Sequence, residues 1–241
     1  PDYSLPNRSY CESCSSCGYI FQNHKMNLMH KESKYPDLME LTLYNALLGS
    51  LDLEARNYGY TNPLDQDFAR YSWHNCPCCI GNIPRTLLSL PTWMYSRSSD
   101  SLFVNLFIGS TVTIGGIAGT DVEIVQNTNY PWEGSVSITV NPSASASFNI
   151  YIRMPDRSPS TLYSSMPDSN GFTSVSVNGS VLTPTITNGY AVISRTWNRG
   201  DRIDIAMPLE VQRVRAIPEV TADRDSIALQ RGPLVYSIES A

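Results

Sequence analysis

Val136-Ser137-Ile138-Thr139-Val140 and, one turn later, Phe148-Asn149-Ile150-Tyr151-Ile152 repeat with a period of two. That period places β-branched and aromatic groups on one face and the intervening residues on the other, the pattern of strands packed on a core. The pattern extends outward in both directions. Leu102 to Ile108, Val122 to Val125, Val175 to Val177, Tyr190 to Ile193 and Arg202 to Ile205 read as further short strands, separated by Gly, Pro, Asn and Ser turns at the spacing of a sandwich. Asn178-Gly179 and Asn188-Gly189 are strong turn dipeptides. Ser226 to Ile238 reads as another extended pair, broken at Gly232-Pro233, and the sequence then stops without a polar tail, as a shortened chain would.

Upstream of Ser96 the period becomes helical. Cys17 to Lys31 carries Ile20, Met26 and Met29 at helical steps. Pro36 to Leu51 has a Pro start, Asp37 in its first turn, and Leu38, Leu41, Ala46 and Leu48 on one broad face. Cys79 to Tyr95 repeats Ile83, Leu87, Leu90 and Met94, with Pro84 and Pro91 expected to start, kink or end it. Asn57 to Tyr60 reads as extended, ended by Asn62-Pro63. Three helices cannot bury their apolar faces on one another alone. Partner helices are therefore expected from sequence upstream of Pro1 or from another chain, and a homodimer stays open.

Of the 241 residues, 41% are hydrophobic and 16% charged, with a net charge of −5 and only three lysines. The chain is globular, and the absence of a basic stripe argues against nucleic acid and anionic membrane as partners. A neutral substrate such as a sugar suits it better. No apolar run reaches the ~18 residues of a membrane span. The sequence opens with Pro-Asp-Tyr rather than an initiator Met, so something upstream is expected to be missing. The sequons Asn7-Arg8-Ser9 and Asn178-Gly179-Ser180 tilt the expected compartment toward the secreted side.

All six cysteines fall in two clusters, Cys11, Cys14 and Cys17, then Cys76, Cys78 and Cys79. A disulfide framework spreads its bridges through a domain, whereas metal chemistry concentrates thiols in one place, so metal binding is the preferred reading. Each cluster leads into a helix, whose N-terminus favours thiolate. Ligands of structural zinc sites are usually two to four residues apart. The adjacent Cys78 and Cys79 suggest instead that one sulfur holds a metal while the other is presented beside it as a nucleophile. A closed structural zinc site using Cys11, Cys17 or Cys76, or iron–sulfur ligation, is the competing reading. Those three cysteines read individually as buried thiols or a disulfide pair, Trp73 as a core residue, and His74 as a hydrogen-bonded structural histidine.

Tyr3-Ser-Leu-Pro-Asn7, Glu12-Ser-Cys14, Leu43-Tyr-Asn45, Tyr60-Thr-Asn-Pro-Leu64, Trp73 with Cys76-Pro-Cys-Cys79 and Asn82, Leu102 to Leu106, and Ala228 to Tyr236 occur in an order that resembles the β-L-arabinofuranosidases of glycoside hydrolase family 127. The resemblance covers nearly the whole chain. It implies an α+β multidomain protein: the C-terminal helices of an (α/α)6 barrel over residues 1–95, an antiparallel β-sandwich over 96–215, and an extended return segment over 216–241. It further implies Zn2+ held by Glu12, Cys14, Cys78 and Cys79, with Cys78 also the nucleophile of a retaining hydrolase and Tyr60 lining the sugar pocket. The expected substrates are arabinofuranosides. The family's general acid/base Glu falls upstream of Pro1, so the upstream half of the enzyme is needed to complete the site. Ile80-Gly81 replaces the family's usual Pro after the cysteine pair, which bears on the local helix start and not on the ligands. The alternative function is a non-catalytic, zinc-stabilised carbohydrate-binding or interaction module.

Overall fold

The computed structural model describes residues 9–63, 69–158 and 160–237. Tyr3 to Asn7, Leu64 and the first two residues of the Asn7 sequon lie outside the described residues. Among the described residues three α-helices are formed, Ser13–His30 (α1), Lys34–Leu41 (α2) and Cys78–Ser89 (α3). α1 starts earlier than its apolar pattern suggests and closes at Lys31 in the left-handed conformation, whose N–H bonds the Asn27 carbonyl. α2 widens into a π-helical stretch over Thr42–Leu47 and a 3-10 turn over Leu48–Ser50. There the Thr42 hydroxyl and the Asn45 amide bond back to the carbonyls of Leu38 and Leu41. α3 begins at Cys78 itself, tolerates Pro84 inside it, and gives way to a 3-10 turn before Tyr95.

Two short strands, Tyr58–Gly59 (β1) and Arg70–Tyr71 (β2), pair antiparallel between α2 and α3. From Tyr95 the chain runs through Tyr95–Arg97 (β3), Ser101–Val104 (β4), Ser110–Ile117 (β5), Thr120–Thr128 (β6), Ser135–Pro142 (β7) and Ala146–Arg153 (β8). It continues as Tyr163–Met166 (β9), Ser174–Val177 (β10), Ser180–Leu182 (β11), Thr185–Thr187 (β12), Tyr190–Trp197 (β13), Asp201–Ala206 (β14), Val211–Ala216 (β15), Ala228–Arg231 (β16) and Leu234–Tyr236 (β17). One sheet has the order β11-β10-β14-β7-β6-β5, and a second β12-β13-β8-β4-β3. Val122, Ile124, Val136, Ile138, Val140, Ile203 and Ile205 of the first sheet share one buried core with Leu102, Val104, Phe148, Ile150, Ile152 and Ile193 of the second. The second sheet is not wholly antiparallel: β4 pairs parallel with β8. The chain leaves β4, builds β5, β6 and β7 in the facing sheet, and returns as β8 beside it, the long crossover that parallel neighbours require.

The other face of the second sheet carries the helices. Arg153, fully buried on β8, donates to Asp37 at 2.6 Å, to Glu40 at 2.5 Å and to the Asn105 carbonyl at 2.5 Å. Tyr130 donates to the second Glu40 oxygen at 2.8 Å. Asn27 donates to the Tyr190 hydroxyl at 2.8 Å, which donates on to Asn105 at 2.8 Å. Asp37, read from sequence as a first-turn helix acid, is thus a buried partner of Arg153. Burial pushes its carboxyl up to about 7 against the opposing pull of that guanidinium.

Gly189 adopts φ +77°, and a Cβ there would collide with the Ser33 hydroxyl on the helical side. Gly189→Ala is therefore expected to cost about 1–3 kcal/mol in chemical denaturation. Gly179→Ala, with φ +80° and open space around it, should cost less. Equal costs would mean that the Ser33 contact relaxes freely.

A third sheet, β17-β16-β15-β9, draws strands from both sides of residue 215. Asn45 fastens its β16–β17 hairpin to the helices, donating to the Pro233 carbonyl and accepting from the Val235 N–H, both at 2.8 Å. Leu28, Met29 and Leu88 on the helices remain exposed.

Candidate metal-thiolate site

Two helix N-termini converge. Glu12 is the N-cap of α1 in extended conformation and Cys14 is the second residue of that helix, while Cys78 and Cys79 are the first two of α3. Both positive helix ends thus face a carboxylate and sulfurs, which they favour as anions. The two helices pack on each other, with Cys17 beside Thr86, and Cys17 and Ile20 of α1 and Ile83 and Thr86 of α3 are all buried.

The ligand-type atoms of Glu12, Cys14, Cys78 and Cys79 all lie within 4.8 Å of one another. Cys78 Sγ is 3.1 Å from Glu12 Oε1, Cys14 Sγ 3.2 Å from Cys79 Sγ, Cys79 Sγ 3.8 Å from Glu12 Oε1, and the two adjacent sulfurs 3.9 Å apart. Two sulfurs at ~2.3 Å from one tetrahedral ion are about 3.8 Å apart, so these spacings fit a zinc-sized cation with little movement. Asn82, one turn into α3, donates to Cys14 Sγ at 3.1 Å, an outer hydrogen bond of the kind that orients a metal ligand.

The surroundings of Cys78 and Cys79 favour their protonated thiols. Hydrogen bonding to Glu12 and then Cys14 pushes the Cys78 thiol up to about 12, and burial first of all raises Cys79. Glu12 holds the negative charge, its carboxyl lowered chiefly by the thiol of Cys78. A divalent ion would have to displace these protons as it binds.

Tyr60 reaches the same place from β1. The Ser13 N–H and hydroxyl bond the Tyr60 and Gly59 carbonyls at 3.1 and 2.6 Å, and Asn62 returns two bonds to the Cys11 carbonyl and one to the Ser13 hydroxyl. The Tyr60 hydroxyl then sits 3.8 Å from Cys78 Sγ. His74 stacks on the Tyr60 ring, centroids 4.0 Å apart, and its Nδ1 accepts the Cys76 N–H at 3.1 Å. Both contacts agree with a hydrogen-bonded histidine, but its place against Tyr60 carried no signal in the sequence.

The remaining cysteines divide. All six are free, and Cys17 is buried as expected, with its thiol raised by that burial. Cys11 and Cys76 are exposed, which corrects their reading as buried thiols or a disulfide pair. Trp73 is also not in the core. It is 62% exposed, because the segment leading into α3 runs over the surface.

Family models for the β-L-arabinofuranosidases of glycoside hydrolase family 127 match this chain in order: the catalytic domain over residues 1–92, the middle domain over 101–209 and the C-terminal domain over 211–241. The chain is 30% identical to the non-reducing end β-L-arabinofuranosidase of Bifidobacterium longum subsp. longum, over 99% of its own length and 37% of that protein's. Among solved structures it is similar to a family 127 β-arabinofuranosidase, with TM-score 0.90 and 32% identity over 98% of this chain and 38% of that one. It also resembles the family 127 β-L-arabinofuranosidase of Geobacillus stearothermophilus T6, with TM-score 0.85 and 34% identity over 97% of this chain and 37% of that one. The chain therefore spans little more than a third of the length of these relatives. Matched almost throughout by three successive domain models of one family, the chain belongs to glycoside hydrolase family 127, the β-L-arabinofuranosidases.

Proposed function

We propose that this chain carries the zinc-thiolate nucleophile half of a retaining glycoside hydrolase that releases terminal L-arabinofuranose. The general acid/base is supplied from outside the chain. The observation that carries the reading is the convergence of Glu12, Cys14, Cys78 and Cys79 within 4.8 Å at spacings suited to one tetrahedral ion. The solved relatives, both arabinofuranosidases by description, support the substrate class. Leu28, Met29 and Leu88, exposed on the helices, support packing against further helices of an (α/α)6 barrel.

Bound there, Zn2+ would supply Lewis-acid charge that keeps a coordinated thiol ionised near neutral pH. The rest falls to the chain's own residues. Cys14, Cys79 and Glu12 hold the cluster rigid from two helix ends, and Asn82 fixes the Cys14 sulfur. Cys78 is half-buried rather than enclosed, and its sulfur has the Tyr60 hydroxyl beside it at 3.8 Å. Attack of the Cys78 sulfur on the anomeric carbon breaks the glycosidic bond, the leaving oxygen taking its proton from the general acid outside the chain, and gives a thioglycosyl enzyme. Water then cleaves that bond with net retention, the two-step logic of retaining glycosidases with sulfur in place of carboxylate.

The metal part is testable alone. The reduced chain should take up one equivalent of zinc by elemental analysis. Cobalt(II) in its place should give intense tetrahedral visible bands and sulfur-to-metal charge transfer. Cys14→Ala should weaken uptake by at least about 10-fold. Failure to bind stoichiometrically, or a weak octahedral cobalt spectrum, would remove the thiolate cluster as a metal site.

A further inference from the structure

Cys76 lies beside the cluster but outside its four ligand atoms. Its sulfur is 3.7 Å from Cys78 Sγ, with one proline between the two residues. Cys76 is exposed and Cys78 half-buried, so reagents in solvent reach the pair. The Cys76 backbone is held in this position by its N–H bond to His74 Nδ1. We propose that Cys76 and Cys78 form an oxidisable dithiol, a modification site that a two-electron oxidant such as hydrogen peroxide closes to a disulfide.

Other close pairs are poorer candidates. Cys14 and Cys79 are nearer at 3.2 Å, but Cys79 has no exposed surface and Cys14 Sγ accepts the Asn82 amide. Cys78 and Cys79 are neighbours, and adjacent Cα atoms stand about 3.8 Å apart across a trans peptide, below the ~4.4 Å that disulfides usually span. Cys76 therefore combines access with a partner in reach. Its thiol takes one oxygen from the peroxide, giving a sulfenic acid and one water. The Cys78 sulfur then displaces the sulfenic hydroxyl, which leaves with the thiol proton as a second water. Two thiols are oxidised, one peroxide is reduced, and a dithiol reductant reverses the change.

The linkage does not depend on the catalytic reading; only its consequence does. With Cys78 in a disulfide, the chain loses both the proposed nucleophile and one proposed ligand.

Cleavage after Arg70 and Arg85 releases one peptide carrying Cys76, Cys78 and Cys79. The reduced full chain is treated with hydrogen peroxide, its remaining thiols are alkylated, and its peptides are mapped without reduction. That peptide should lose two hydrogens and carry its single alkyl label on Cys79, and dithiothreitol should restore three labels. In Cys76→Ser the internal link should vanish, leaving Cys78 as a higher oxide or a mixed disulfide with added glutathione. In the unaltered chain, a bridge to the Cys14 peptide, a label on Cys76 instead of Cys79, or sulfinic acid at Cys78 with no disulfide would each overturn the proposal, as would the same internal link in Cys76→Ser. Labelling of Cys78 by a sugar probe in the reduced chain tests the catalytic reading separately.

Discussion

Cys78→Ser is expected to abolish covalent capture of a β-L-arabinofuranosyl haloacetamide. Where the proposed hydrolysis is assayed with the general acid/base supplied, the same change should lower it by at least about 10³-fold. A hydroxyl is far less ionised than a thiol beside a divalent cation, so the attacking electron pair is lost while the shape of the site is kept. Cys78 is the member of the cluster suited to this role. Cys79 has no exposed surface and Cys14 is engaged by Asn82, whereas the Cys78 sulfur is half-buried and 3.8 Å from the Tyr60 hydroxyl. Zinc content should fall less than activity, because Glu12, Cys14 and Cys79 remain. Hydrolysis surviving the serine substitution, or probe attached to Cys76 in the unaltered chain, would move the nucleophile elsewhere.

Arg153→Met should be the most damaging change outside the site, costing about 3–5 kcal/mol in denaturant unfolding. It leaves the buried carboxyls of Asp37 and Glu40 without their shared guanidinium and removes the link that ties α2 to β8. Tyr130→Phe, which deletes one hydrogen bond to Glu40, should cost about 1 kcal/mol. The cluster also has a pH signature. Asp37 titrates at about 7 when folded, above its ordinary value of 3.8. The folded chain thus binds this proton more tightly than the unfolded one. The contribution is complete below the ordinary value and is lost as the pH rises toward 7. Asp37→Asn should flatten that part of the stability profile, and an unchanged slope would assign it to another group. If Arg153→Met unfolds at the same denaturant concentration as the parent, this cluster is not what joins the helices to the sheet.

Much of the architecture was legible because burial imposes a period. Val136 to Val140 and Phe148 to Ile152 lie inside β7 and β8, and Tyr190 to Ile193 inside β13. Where the apolar pattern is continuous, periodicity could not find the end of a strand. Leu102 to Ile108 reads as one strand, yet β4 stops at Val104, because the Asn105 and Leu106 amides both turn to the Met94 carbonyl. β5 was missed. Its Thr111 to Ile117 stretch alternates β-branched residues, but Gly115-Gly116 interrupts it and only Ile117 is buried. The joint between helices and sheet was not legible at all. Asp37, Glu40, Tyr130 and Arg153 are single polar residues in three distant segments, and nothing local marks them as partners.

The site divides in the same way. Clustering of the cysteines and their position before helices pointed to one metal-type centre, and the motif order supplied Glu12 and the choice among the thiols. Tyr60 came from the resemblance alone. His74 against Tyr60, and Cys76 within reach of Cys78, depend on how the segment before α3 folds over β1, which no residue pattern encodes.

Zinc K-edge X-ray absorption on the reduced full chain loaded with one equivalent of the metal tests the central claim most directly. Three sulfurs at ~2.3 Å and one lighter atom at ~2.0–2.2 Å are expected, with one sulfur lost in Cys14→Ala. Four sulfurs would mean a closed structural site drawing on Cys11, Cys17 or Cys76, and a shell without sulfur would mean that the two helix ends do not share an ion.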